Sequence, residues 1–222
     1  MERIILNPEN EHVAKLIQSD QRLGQLITFL GTVYIPLRED PFLSLIKSIV
    51  GQQISVKAAQ TIFTRVLQLV DELTPQSIYD LSEEELRQAG VSKSKITYMK
   101  SLAENVLSND INFSVFPQLN NEEIIKLLTK TKGIGNWTAE MFLIFSLGRM
   151  DVLSVADAGL QRAVKWLYNL DRNLDGRKCM KEMSVHWNPY YSAASFYLWE
   201  AINRGYVDRF DTLEQARNRS SS

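Results

Sequence analysis

A short glycine-rich stretch and an aspartate further along the chain are the residues best suited to chemistry. The stretch KGIG at 132–135 interrupts a pattern that is helical on both sides, and Asp157 opens the next helical stretch. Because glycine tolerates positive φ, the stretch can turn the chain sharply and uncover backbone N–H groups where the following helix starts. Such groups attract a phosphate oxygen, and Asp157 offers a fixed negative charge. A packing turn at the glycines and a simple N-cap at Asp157 form the structural alternative.

The composition of the chain excludes several kinds of site. Its 222 residues carry 25 basic and 26 acidic side chains, so a net charge of −1 does not by itself indicate a nucleic-acid binder. With Cys179 as the single cysteine and two histidines, the sequence lacks the ligand spacing of a zinc or iron–sulfur centre. It has no apolar run of membrane-spanning length, and because MERIILNPEN lacks a basic start and a long apolar core, we do not expect it to act as a secretory leader. We therefore expect no membrane partner, and a location in the cytoplasm, associated with the nucleoid, or in the nucleus.

A local cluster of basic residues lies around a second glycine turn. Its members are Arg87, Lys93, Lys95 and Lys100, in and around the stretch QAGVSKSK. Since phosphate neutralisation needs only a local basic face, these side chains are candidates for DNA contacts. A solvated helix face is the alternative interpretation.

Apolar residues recur at spacings of three and four almost throughout the chain, which predicts an all-α fold of about ten or more short helices. Helix starts are indicated by Asp40 before Pro41, by Ser82 with Glu85, and by Asn120 or Asn121 ahead of two glutamates. Helix ends are expected at glycines, namely Gly31, Gly90, Gly148 and Gly205. We expect Trp166, Phe196 and Trp199 to pack in the core, whereas the pattern leaves Trp187 undecided.

Three motifs, taken in chain order, resemble one family. They are SIVGQQISVKAAQ at 48–60, KGIGNWTAEMF at 132–142 followed by SVADAGLQRA, and NPYYSAASFYLWEA at 188–201. Together they resemble the helix-hairpin-helix superfamily of base-excision DNA glycosylases, in particular its 3-methyladenine DNA glycosylase II branch. The resemblance extends from about residue 41 to 205. Because only about forty residues precede it, the chain looks like the compact form of this branch.

The resemblance implies how the helices are organised. We expect two helical lobes with the active-site cleft between them, in a single compact domain over 1–222. Lobe one is expected at about 1–50 plus 165–222, and lobe two at about 51–164. The helix-hairpin-helix is expected at 121–147 within lobe two.

The resemblance also assigns the catalytic residue. Asp157 matches the family's catalytic aspartate, and Trp137 stands where strand-nicking members carry a lysine that forms a Schiff base with the sugar. Lyase activity is therefore not expected. Members with a four-iron cluster have four cysteines near the C-terminus, which this sequence lacks.

Further residues are assigned to DNA and base contacts. The resemblance implies a base pocket of Trp137, Tyr190 and Tyr191, where a cationic base stacks on aromatic rings. Gln53 matches the residue that fills the hole left in the DNA when a base is turned out, although it is equally suited to capping a helix. The pattern departs from the family at Ala158, where a larger apolar residue or tyrosine is usual.

The glycine hairpin is expected to hold the DNA backbone. The residues assigned to phosphate binding are Lys132, Gly133, Gly135 and Thr138, with Lys132 in place of the family's usual proline. The resemblance implies a structural Na or K ion bound by main-chain oxygens of Thr129, Thr131 and Ile134. No other cofactor is expected.

The predicted function is release of alkylated purines from double-stranded DNA by a monomeric enzyme. The substrate expected is 3-methyladenine, with 7-methylguanine and etheno-adenine as further candidates. An alkylated purine is cationic and leaves readily, so the enzyme needs mainly an anion to stabilise the oxocarbenium character of the sugar. Asp157 supplies that anion or activates the attacking water. Two alternatives stay open, a glycosylase for another lesion and a non-catalytic helix-hairpin-helix module.

Overall fold

The computed structural model describes residues 3–38 and 40–220, and most of these residues lie in helices. The predicted all-α class is confirmed. The only strands among the described residues are β1 (Arg3–Leu6) and β2 (Val33–Pro36), which pair antiparallel with Leu6 opposite Val33. Their pattern was too short to read as alternation in the sequence, because each strand has four residues.

Contacts between residues divide the chain into two units. The first unit runs to Leu37 and resumes at Gly148, and the second covers Arg38–Leu147. The expected lobes divided instead near residues 50 and 164. The physical reason for the difference is the helix Pro41–Gly51, which packs on helices of the second unit.

The first unit holds the strand pair and the helices at both ends of the chain. These helices are α1 (Glu11–Ser19), α2 (Gln21–Leu30), α10 (Ala158–Leu167), α11 (Gly176–Met183), α12 (Tyr191–Asn203), α13 (Tyr206–Arg209) and α14 (Leu213–Ser220). Helix α12 lies at its centre, in contact with α1, α2, α10, α13 and β2. Eight of its residues are buried, which explains why its sequence is apolar nearly all round.

The second unit is a run of short helices. They are α3 (Pro41–Gly51), α4 (Val56–Leu67), α5 (Pro75–Asp80), α6 (Glu83–Gln88), α7 (Lys93–Leu107), α8 (Asn121–Leu128) and α9 (Asn136–Phe145). Helix α3 contacts α4, α7 and α9, and α8 packs against α9. The rings of Phe116 and Phe142 meet edge to face at 5.9 Å in its core.

The predicted helix starts are confirmed. Asp40 accepts a hydrogen bond from the Leu43 N–H ahead of Pro41. Ser82 with Glu85, and Asn120 with Glu123, each form a reciprocal capping box. These bonds satisfy backbone N–H groups that a helix start otherwise leaves without a partner, so each fixes where its helix begins.

Two of the four basic residues proposed as DNA contacts, Lys95 and Lys100, bind carbonyl groups within the protein. Lys95 donates to the Val50 carbonyl at the end of α3, at 2.8 Å. Lys100 donates to the carbonyls of Tyr79 and Leu81 at the end of α5. Partial burial lowers the pKa of both ammonium groups. Both lysines therefore stabilise helix C-termini, where carbonyl groups favour a cation.

A buried hydrogen-bond network settles the place of Trp187. Its side chain is fully buried and its Nε1–H donates to Asp20 Oδ2 at 3.0 Å. The hydroxyl of Tyr168 donates to the same oxygen, and the Leu23 N–H donates to Asp20 Oδ1. Burial, together with Asp20, raises the pKa of Tyr168 well above its ordinary range. Trp187 is thus a core residue, as Trp166 and Phe196 are confirmed to be.

No helix among the described residues is long and apolar enough to cross a membrane.

We predict that Asp20→Ala lowers the free energy of unfolding by about 3–5 kcal/mol, since it removes an N-cap worth about 1 kcal/mol and leaves two buried donors without an acceptor. Asp175→Ala is the matched control, because Asp175 caps α11 by accepting from two backbone N–H groups at the surface. Urea unfolding measures both variants. Equal losses would show that the Tyr168 and Trp187 bonds contribute nothing.

Candidate functional site

The predicted glycine hairpin joins α8 to α9 in the second unit. At the end of α8 the Thr129 N–H donates to the Ile125 carbonyl, and the Thr131 N–H donates to the Leu128 carbonyl at 3.1 Å. The Ile134 N–H then donates to the Thr131 carbonyl, also at 3.1 Å. These consecutive turns connect the end of α8 to Gly135, which is the N-cap residue of α9.

Gly133 is a glycine because the protein itself requires one. Its φ is +83°, in the left-handed region that other residues rarely adopt. A Cβ built at this position would collide with the ring of Tyr98, which α7 presses against the hairpin. The hairpin is therefore shaped by contact with α7 as well as by its own sequence.

Gly135 is a glycine for a different reason. Its φ of −92° and ψ of 174° suit any residue, and a Cβ built there meets no atom within 4 Å. It is the exposed N-cap residue of α9, and it has no side chain that could accept from the first turn of the helix. Gly135 itself therefore supplies no capping acceptor at the start of α9, where the helix dipole favours a phosphate oxygen.

The other residues expected at the hairpin differ in exposure. Lys132 is exposed beside Gly133, so its ammonium group can approach a phosphate. Thr138 is only 6% exposed, so its hydroxyl is not presented to solvent, and any contact with an anion would use its backbone N–H in the first turn of α9. Thr131 and Ile134 are buried, and the Thr131 hydroxyl accepts from Asn105 Nδ2 at 2.8 Å. Trp137 is 47% exposed on the first turn of α9.

The turn between α3 and α4 is tied to this hairpin. Gln52 Nε2 donates to the Gly133 carbonyl at 2.7 Å. The next residue, Gln53, is exposed and has a φ of +57°. Ser55 then caps α4, so Gln53 is not the N-cap of that helix. The structure thus places the expected DNA wedge residue at the tip of a tight turn, next to a glutamine that binds the hairpin.

Asp157 belongs to the first unit and is the N-cap residue of α10. Its Oδ1 accepts from the Leu160 N–H at 2.8 Å, and its own N–H donates to the Ser154 carbonyl at 3.1 Å. Gln161 Nε2 donates to the Val155 carbonyl and secures the same turn. The side chain is half-buried. These bonds fix the direction of the carboxylate, so the N-cap role and a catalytic role are compatible.

The two tyrosines expected in the base pocket stand at the start of α12. The residue after them, Ser192, donates from its backbone N–H to the Met150 carbonyl at 2.9 Å. Its hydroxyl bonds both the N–H and the carbonyl of Val152, each at 3.2 Å. The segment that leads to Asp157 is therefore anchored beside Tyr190 and Tyr191. A Cβ built on Gly159 would lie 3.4 Å from Ile202, which shows that α10 packs closely against α12 at this point.

Tyr190 has neighbours that the sequence did not indicate. The ring of His12 stacks on it at 4.6 Å with an interplanar angle of 26°. Lys15 Nζ lies 3.5 Å from the Tyr190 hydroxyl and 5.9 Å from the ring centroid, and it also pairs with Glu11 at 2.7 Å. Both His12 and Lys15 lie in α1. Because 175 residues separate Lys15 from Tyr190, only the folded structure brings the two together.

A separate groove of about 730 Å³ is lined by residues of α10, by the segment that follows it, and by residues 207–212. Neither Asp157 nor the two tyrosines line it. Two of its three cations face anions, with Arg162 at 3.5 Å from Asp208 and Arg172 at 2.9 Å from Asp211. The third, Lys165, donates to the Arg172 carbonyl at 2.8 Å and to the Leu174 carbonyl at 3.2 Å, so all three cations are engaged within the protein.

No group of three or more histidine, cysteine, aspartate or glutamate side chains suited to a metal ion occurs within 3–38 and 40–220.

Comparison with known proteins agrees with these motifs and this fold. A model of the HhH-GPD superfamily of base excision DNA repair proteins matches residues 46–189, which include the Gln52 turn, the hairpin and Asp157. The chain belongs to this superfamily. The predicted family resemblance is confirmed.

Within the superfamily, the chain is similar to proteins named for 3-methyladenine. It is 35% identical to DNA-3-methyladenine glycosylase 1 of Schizosaccharomyces pombe over 189 residues, which cover 82% of each chain. The crystal structure of a DNA-3-methyladenine glycosidase from Bacillus halodurans matches with a TM-score of 0.88 at 43% identity, over 95% of this chain and 97% of that one. The S. pombe 3-methyladenine DNA glycosylase Mag1 in complex with abasic DNA matches with a TM-score of 0.76 at 32% identity, over 87% and 97%.

The two hairpin glycines give opposite predictions. Gly135→Ser introduces an N-cap hydroxyl that occupies the first-turn N–H groups of α9, so we expect unchanged or slightly higher stability and roughly tenfold weaker DNA binding. Gly133→Ala forces a side chain into left-handed backbone and should cost about 1–3 kcal/mol of stability. Thermal unfolding and fluorescence anisotropy with a labelled duplex separate the two effects. Full DNA affinity in a stably folded Gly135→Ser protein would exclude the start of α9 as the phosphate site.

Proposed function

We propose that the protein is a monofunctional DNA glycosylase that removes alkylated purines from double-stranded DNA in base excision repair. The substrate is 3-methyladenine, with 7-methylguanine and etheno-adenine as further members of the range. The observation that carries the proposal is the Asp157 carboxylate, fixed by its bond to the Leu160 N–H at the start of α10. Membership of the repair superfamily and the names of the similar proteins support it.

The chemistry follows from the charge of the damaged base. Alkylation at N3 or N7 places a positive charge on the purine, so the bond to the sugar breaks without prior protonation of the base. Positive charge then develops on the deoxyribose, and the Asp157 carboxylate stabilises it electrostatically. Water adds to the sugar carbon, the base leaves as a neutral purine, and the proton from that water is released.

The residue at position 137 determines what happens to the strand. A lysine there would attack the sugar and form a Schiff base that leads to strand cleavage. The indole of Trp137 has no nucleophilic amine. The product is therefore an abasic site in an intact strand.

Several residues deliver the base to this chemistry. The hairpin residues Lys132, Gly133, Gly135 and Thr138 hold the DNA backbone, Gly135 through the open start of α9. Gln53 enters the base stack as the damaged nucleotide turns outward. The aromatic rings of Trp137, Tyr190 and Tyr191 bind the extruded base, and a cationic purine gains more from such rings than a neutral one.

We further propose that a Na or K ion binds the hairpin through the main-chain oxygens of Thr129, Thr131 and Ile134. The donor chemistry fits, because these are neutral carbonyl oxygens and a carbonyl that accepts one hydrogen bond keeps a second lone pair. The Thr131 carbonyl accepts from the Ile134 N–H at 3.1 Å. The ion would steady the turn ahead of Gly135 and add positive charge near a bound phosphate.

Replacing K⁺ and Na⁺ with tetramethylammonium at constant ionic strength tests this ion. Because the organic cation is too large for a site of carbonyl oxygens, we expect weaker binding of duplex DNA, measured by anisotropy. Restoring KCl should restore the affinity. Identical titration curves in both salts would refute the ion site.

The partner is double-stranded DNA that carries alkylated bases. We propose that the protein acts on it as a monomer, in the nucleoid or the nucleus where such DNA lies.

The decisive test compares Asp157→Asn with Asp175→Asn. Asparagine preserves the N-cap bond but removes the charge, so Asp157→Asn should fold normally and release base from methylated duplex roughly 100-fold more slowly or worse. Asp175→Asn makes the same change at the start of α11 and should keep the wild-type rate. Single-turnover release of free base is measured by chromatography, and strand integrity by a gel without alkali.

Three outcomes would contradict the proposal. Equal release by the wild type and Asp157→Asn would remove the assigned role of the carboxylate. Binding to abasic DNA without any base release would favour the non-catalytic helix-hairpin-helix module. Release of uracil or oxidised guanine in place of methylated purines would favour a glycosylase for another lesion.

A further inference from the structure

We propose that Gln52 is a positioning residue that holds the Gln53 turn and the phosphate-binding hairpin in fixed register. Through this link, gripping the DNA backbone and entering the base stack become a single event. The inference rests on the proposed function, because it concerns how the same site engages damaged DNA.

One end of the link is the hairpin. Gln52 Nε2 donates to the Gly133 carbonyl at 2.7 Å across 81 residues of sequence, in a partly buried position. This carbonyl shares a peptide unit with the Ile134 N–H, which donates to the Thr131 carbonyl at 3.1 Å. Both polar groups of that peptide are therefore held, and one residue, Ile134, separates its carbonyl residue Gly133 from Gly135 at the start of α9.

The other end of the link is the turn between α3 and α4. Gln52 is the C-cap residue of α3, and its backbone N–H donates to the Ile49 carbonyl at 3.3 Å. Lys95 secures the same helix end by donating to the Val50 carbonyl at 2.8 Å. The residue that follows Gln52 is Gln53, whose φ of +57° is uncommon for a residue other than glycine. The turn that presents Gln53 is thus fixed from α7 and from the hairpin.

The chemistry of the link requires an amide donor of the right length. A glutamate at position 52 is ionised and can only accept, so it would face the Gly133 carbonyl without a hydrogen bond. Methionine has similar length and volume but no N–H donor. Asparagine keeps the amide and is one methylene too short. These three changes separate the hydrogen bond from the packing of the side chain.

The experiment uses a duplex with an abasic-site analogue and 2-aminopurine beside it, whose fluorescence rises when base stacking is disrupted. We expect Gln52→Met to bind this duplex roughly tenfold more weakly, the value of one lost hydrogen bond in the bound state. At saturating protein the 2-aminopurine signal should also stay below the wild-type level, because Gln53 no longer enters the stack in register. A purely structural role would lower the thermal midpoint and leave the saturated signal unchanged.

Matched variants complete the test. Gln60→Met changes the same residue type at an exposed position of α4, where the Gln60 amide donates to Thr64 in its own helix at 3.4 Å, and should behave as wild type. Gln52→Asn should reproduce the Gln52→Met result, and it is scored alone if Gln52→Met does not fold. A wild-type signal and affinity in either folded Gln52 variant would overturn the inference.

Base release from methylated duplex is scored separately, so that the two proposals fail in different ways. If the wild type releases no base but Gln52→Met still loses affinity and signal, the glycosylase assignment is overturned and the link stands. If the wild type releases base and Gln52→Met matches it in rate, affinity and signal, the link is overturned and the assignment stands.

Discussion

The backbone N–H groups at the start of a helix need an acceptor, and the protein treats two helix starts in opposite ways. At α10 the acceptor is the carboxylate of Asp157, which is thereby fixed in direction. At α9 the N-cap residue is Gly135, which brings no acceptor and no bulk. One helix start uses the backbone to orient a negative charge, and the other leaves the backbone to attract one. The candidate catalytic and DNA-binding groups both follow from this single requirement.

Tertiary contacts convert these local features into a defined geometry. The Gly133 backbone is held between the Tyr98 ring and the Gln52 amide, both from outside the hairpin. Asp157 sits at the end of a segment that Ser192 anchors to the start of α12. In each unit the candidate site residues lie close together in sequence, whereas the side chains that fix their positions come from helices distant in sequence.

This difference explains what the sequence could predict. Capping boxes at Ser82 and Asn120 and the glycine hairpin are encoded within a few residues, so periodicity and spacing were sufficient to find them. The family motif then located Asp157. The assignment of Asp157, the tyrosines and the hairpin residues to catalysis and DNA contacts stays a prediction.

Features that depend on long-range contacts were missed or misplaced. Lys95 and Lys100 looked like part of a basic face, but the ends of α3 and α5 take up their donors. Gln52 and His12 carried no local sign of their partners Gly133 and Tyr190. The boundary between the units could not be read either, because the place of α3 is decided by its packing on α7 and α9.

The proposed grip on DNA combines backbone amides with one lysine, Lys132, and this has a consequence for how such a protein searches a genome. Lysine and arginine gain affinity for DNA by releasing counterions, so that affinity falls steeply as the salt concentration rises. The same interaction lets a protein slide along undamaged DNA. Here the net charge is −1, and two of the clustered lysines are committed to helix ends. We therefore expect a shallow dependence of affinity on ionic strength and brief visits to intact duplex, so that long residence is reserved for sites where a nucleotide has already left the stack.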